Sequence, residues 1–164
     1  MCGKGKIINV VLNSNNALSG STNNNASYNI DFSAILKDKM AYHLHWTYVG
    51  QANTLTIASK IPQVQVNFVT ETYLNRSSTL GAPSTFHIGS LRSAYLNGTL
   101  NILYAGDNDN PPVYLANRPY NNTFNVQVLT NDATPVAWTD NAGTPVANNS
   151  YILTLSFQEI GNDD

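Results

Sequence analysis

The chain has 164 residues, enough for one domain with a sizeable core, and only 11% of them are charged, for a net charge of −2. Without a basic excess the sequence does not read as a nucleic-acid or polybasic membrane binder, and its one cysteine, Cys2, excludes an internal disulfide and a cysteine-rich zinc site. Polar chemistry falls instead to 24 asparagines and a combined 28 serines and threonines, neutral groups that satisfy turns without the desolvation cost of burying ions.

Met1–Lys6 leads into a short apolar run that has neither the length nor the flanks of a signal peptide, so an unsecreted protein without a membrane span is expected. The five glycosylation triplets at Asn25, Asn75, Asn97, Asn121 and Asn148 do not argue otherwise. With this many Asn, Ser and Thr, roughly four arise by chance.

Period-two alternation of apolar and polar residues predicts eight strands. The first covers Lys6–Asn13. The second, Ser27–Phe32, directs Tyr28, Ile30 and Phe32 to one face. A helical turn or two is expected over Ala34–Met40, behind an N-cap at Ser33. The third strand, Ala41–Val49, sets Tyr42, Leu44, Trp46 and Tyr48 against His43, His45 and Thr47.

The fourth, Gln63–Phe68, buries Val64, Val66 and Phe68, and the fifth, Thr85–Leu91, carries Phe86 and Ile88. In the sixth, Thr99–Tyr104, the apolar set reads as Leu100, Ile102 and Tyr104. The seventh, Thr123–Thr130, buries Phe124, Val126 and Val128, and the eighth, Tyr151–Ile160, buries Tyr151, Leu153, Leu155 and Phe157. Gly, Pro and Asn gather in the connections, above all Asn13–Asn25, Gly106–Arg118 and Asn131–Ser150.

Eight strands with almost no helix predict an all-β protein, an eight-stranded antiparallel jelly-roll sandwich over residues 1–164, with a short arm at 1–5 and a tail at 161–164. An immunoglobulin-like sandwich fits less well, because the strands are more numerous and the paired cysteines are absent.

His43 and His45 lie two apart on one strand face, the spacing of a shared metal, with His87 as a third candidate ligand. A cupin-like centre also needs a carboxylate close downstream, and the next acidic residue is Glu71. Asp107 and Asp109, within Gly106–Pro112, offer hard oxygen ligands, but no downstream glutamate completes a calcium loop, so the segment reads as an exposed turn. Trp46 alternates with core residues, whereas Trp138, in the long last link, is the candidate for an exposed contact. No nucleophile–base pair or phosphate loop appears, so no catalytic, cofactor or metal site is expected.

From Asn117 to Ile160 the order NRPYNNTFNVQVLTND, a Pro-, Asn- and Gly-bearing link, then SYILTLSFQEI resembles the small single jelly-roll capsid proteins of large icosahedral double-stranded DNA viruses, virophages and polinton-like viruses. The resemblance implies a structural virion protein, a penton or a minor cementing capsid subunit, whose partners are the major capsid protein or copies of itself. It implies no catalytic residue. On this reading Asp107, Asp109, Arg118 and Trp138 are the interaction residues, on loops gathered at the ends of the sandwich. A carbohydrate- or receptor-binding sandwich is the second expectation, and a metal-dependent cupin-like enzyme built on His43, His45 and His87 the third.

Overall fold

The computed structural model describes residues 5–21, 25–53, 61–70, 86–97, 100–130 and 151–160. Strands β1 (Ile7–Asn13), β2 (Asn25–Asn29), β3 (Tyr42–Asn53), β4 (Pro62–Val66), β5 (Phe86–Ser90), β6 (Arg92–Asn97), β7 (Leu100–Ala105), β8 (Val113–Leu115), β9 (Thr123–Thr130) and β10 (Tyr151–Glu159) form two antiparallel sheets. One sheet runs β1-β10-β3-β7-β6, with β8 added beside β3, and the other runs β2-β9-β4-β5. Removing β6 and β8 leaves two four-stranded layers between which the chain crosses repeatedly, the wrapping of an eight-stranded jelly roll.

Alternation drives the packing. Val10 and Leu12 of β1, Tyr42, Leu44, Trp46 and Tyr48 of β3, and Leu153, Leu155 and Phe157 of β10 face Val64 and Val66 of β4 and Phe124, Val126 and Val128 of β9. Each such side chain, taken fully out of water, stabilises the fold by about 1.5–3 kcal/mol. Phe32, Phe68, Phe124 and Phe157 form an aromatic cluster with ring centroids 4.9 to 6.5 Å apart, and Tyr42 meets Phe157 edge-on at 6.2 Å. Among the described residues, hydrogen bonds also cross the core between the sheets. Trp46 Nε1 donates to the Ile88 carbonyl at 2.9 Å, and the Tyr28 and Tyr151 hydroxyls meet at 2.7 Å.

Several expectations are corrected. The helix is a single turn, α1 (Phe32–Ile35), and Asp31 caps it. The Asp31 carboxylate accepts from the Ser33 amide at 3.1 Å and the Ser33 hydroxyl at 2.6 Å, so Ser33 serves as donor to a stronger acceptor. The helix does not extend to Met40, because Leu36 is already extended and Lys39 takes φ 56° in the turn that follows. Phe32 is fully buried as expected, yet from α1, since β2 ends at Asn29; Ile30 is only half-buried.

The sixth predicted strand has the opposite phase. In β7 it is Leu103 and Ala105 that face the core, while Ile102 is half-exposed and Tyr104 lies on the outside. Pairing decides this, for Leu103 lies opposite Gly50 and Ala105 opposite Tyr48, both on the inward phase of β3. Strands β6 and β8 were not expected. The side chain of Phe86, the arm at 1–4, the tail at 161–164 and the whole link over 131–150 lie outside the described residues.

Candidate functional site

The outward positions of the six-stranded sheet read directly from its register. One row crosses the sheet as Asn13, Ile152, Val49, Tyr104 and Arg92; the next is Val11, Thr154 and Thr47; then Asn9, Ser156 and His45; then Ile7, Gln158, His43 and Tyr114. No Asp, Glu, Lys or Arg occupies an outward position of β1, β10 or β3. Large apolar side chains do, with Val11 62%, Val49 49% and Ile152 44% exposed, and Tyr104 beside them. These side chains form an apolar line across an open sheet face.

Beside this line, at the Asn9–Ser156–His45 and Ile7–Gln158 rows, lies a cleft of about 760 Å³. Its floor comes from β1, β10 and β3, and its wall is the segment Asp107–Pro112, which joins β7 to β8 and stands over the sheet. His45 Nε2 sits 3.2 Å from Gln158 Oε1 and donates to it when that nitrogen carries the proton.

The wall is held firmly. Asp109 Oδ1 pairs with Arg92 Nη2 at 2.8 Å, while Asp109 Oδ2 accepts from the Gly106 amide. Asn110 reaches into the other sheet, accepting from the Ser90 amide at 2.9 Å and donating to the Ser90 carbonyl at 3.0 Å, as a strand neighbour would. Other asparagines are likewise tied to their own chain. Asn67 accepts from the Asn125 amide, Asn117 from the amides of Lys39 and Arg118, and Asn121 from the Val69 amide while donating to the carbonyls of Asn67 and Thr123. Much of the asparagine content therefore satisfies backbone groups in irregular connections.

The residues singled out in sequence fall in different places. Asp107 is exposed on the cleft wall, whereas Asp109 turns inward to Arg92. Arg118 stands apart, its side chain mostly buried, with Nη1 donating to the Pro119 carbonyl at 3.3 Å, Nε 3.8 Å from Asp38, and its guanidinium 5.9 Å from the Tyr120 ring centre. Trp138 lies outside the described residues.

His43 and His45 do share the outer face of β3, their ring centres 6.5 Å apart, but His87 is on β5 in the other sheet, opposite Gln65. Among the described residues no three His, Cys, Asp or Glu side chains are grouped to hold a metal ion. His87 and Gln65 are notable for another reason: both Gln65 amide atoms and His87 Nδ1 are buried without a hydrogen-bond partner. Burial lowers the His87 pKa.

Ile7, Asn9, Ser156 and Gln158 carry no sequence motif. Their only signal is their outward phase on predicted strands, and the register of β1, β10 and β3 is what assembles them. No known protein family matches the sequence, and neither does any curated protein.

Proposed function

We propose that this chain is a structural subunit of a double-stranded DNA virus capsid, a penton or minor cementing protein, and that it meets neighbouring capsid proteins through the outer face of the six-stranded sheet. The reading is supported by the jelly-roll wrapping and by the resemblance of residues 117–160 to single jelly-roll capsid proteins. The observation that carries it is the uncharged apolar line through Val11, Ile152, Val49 and Tyr104. A surface without charge on three adjacent strands packs against a neighbour without stranding an ion, and its burial brings the hydrophobic gain that an isolated monomer forgoes.

The reading assigns no reaction to the chain. Its test is mass spectrometry and electron cryo-microscopy of purified particles, made with the wild-type chain and with a Val11→Glu, Val49→Glu variant. Both side chains are on the solvent side, so the variant is expected to keep its circular dichroism and melting profile while its copy number in particles falls at least tenfold. Undiminished incorporation removes this face from the proposal, and absence of the wild-type chain from particles ends the capsid reading.

A further inference from the structure

Beside the apolar line, the cleft on the same sheet has a different chemistry. The side chains of Asn9, Asp107, Asn108 and Ser156 line it, and among the described residues none of the four makes a hydrogen bond or ion pair. That sets them apart from Asn67, Asn110, Asn117 and Asn121, whose amides are tied to their own chain. We propose that this cleft is a binding site for a neutral saccharide.

The composition of the cleft selects that class. Two amides and a hydroxyl both donate and accept, and the Asp107 carboxylate supplies two further acceptor oxygens. A sugar hydroxyl also donates and accepts at once, so vicinal hydroxyls can engage such a set. An ammonium ligand needs acceptors alone and would use only part of such a set. An anionic sugar, sulfate or phosphate is disfavoured, because Asp107 is negative and the nearby guanidinium of Arg92 is neutralised by Asp109.

Ile7, Pro111 and Pro112 are exposed at the same cleft and offer apolar surface to the C–H face of a pyranose ring. The volume lies within the ~300–1,000 Å³ typical of small-molecule sites. The Asp109–Arg92 pair and the doubled Asn110–Ser90 bond hold the wall segment before binding, which lowers the entropic cost. Among the described residues no Trp, Tyr or Phe ring lines the cleft, so the affinity expected for one site is weak, a Kd on the order of 1 mM.

The inference does not depend on the capsid reading and is tested on the isolated chain. Saturation-transfer NMR is run against glucose, galactose, mannose, fucose, N-acetylglucosamine and their short oligomers, with sialylated and sulfated oligosaccharides in parallel. The expected result is transfer to at least one neutral saccharide, with side-chain amide shifts at Asn9 and Asn108. Binding is expected to weaken at least tenfold in Asp107→Ala, Asn108→Ala, both of which sit in an exposed loop, and in Ser156→Tyr, which fills the floor. If Ser156→Tyr does not fold, the loop variant alone decides. No transfer to any neutral saccharide at millimolar concentration, transfer only to anionic ones, or binding unchanged in the loop variant overturns the proposal.

Discussion

Gly89 shows how closely the two sheets approach at one point. A Cβ there would collide with Asn110 and come within 2.6 Å of the Trp46 ring, so only glycine lets both side chains reach β5. What Asn110 gains is a matched pair of bonds, accepting from the Ser90 amide and donating to its carbonyl. An aspartate keeps the acceptor but sets an oxygen against the Ser90 carbonyl. Asn110→Asp is therefore expected to destabilise by about 1–3 kcal/mol in chemical denaturation, and Asn110→Ala by a similar amount. If Asn110→Asp matches the wild type, the amide is not the tie that the geometry indicates.

Among elements, β3 and β10 were the most legible, because both carry aromatic or branched residues on one phase and Thr, Ser, His or Gln on most of the other. β7 misled for a physical reason. Its residues Ile102, Leu103, Tyr104 and Ala105 are apolar on both phases, so alternation alone cannot say which set is buried. The decision comes from pairing with β3, where Gly50 leaves room opposite Leu103. Leu103→Ala is expected to cost about 2–5 kcal/mol and Ile102→Ala distinctly less, as the ratio of two denaturation midpoints will show. Equal losses would mean that the phase is not as described.

β6 and β8 escaped notice because Arg92–Asn97 has no clean alternation and Val113–Leu115 is three residues behind a Pro-Pro pair. The cleft was illegible for a different reason, since Asn9, His45 and Ser156 become neighbours only through pairings between distant strands. Asp107 was visible as a loop carboxylate, but its place over the sheet was not.

At the scale of the whole molecule, the layers share a buried group of tyrosines. The Tyr28 and Tyr151 hydroxyls bond each other across the core, Tyr48 stacks on Tyr151 with ring centres 5.2 Å apart, and the Tyr48 hydroxyl is buried without a partner. Burial is the leading cause that raises all three pKa values above the ordinary 10.0. The folded state thus holds these protons more tightly than the unfolded chain does. Their contribution to stability is whole below pH 10.0 and is lost as pH rises above it, because the unfolded state then releases protons that the fold retains. An alkaline titration followed by tyrosinate absorbance and circular dichroism together should show these tyrosines ionising only as the sheets come apart. Complete ionisation with the fold intact would contradict their burial.

Among the described residues, the bonds from Trp46 to Ile88 and from Asn110 to Ser90 tie the layers together on either side of Gly89, and the bond from Tyr28 to Tyr151 ties them at a second place. Dispersion between apolar faces has little directionality, whereas a hydrogen bond has direction and fails when its partners are displaced sideways. The sandwich therefore behaves as a bonded laminate: a load applied to one ply is carried into the other at these two places, where directed bonds add to the resistance of the packed faces.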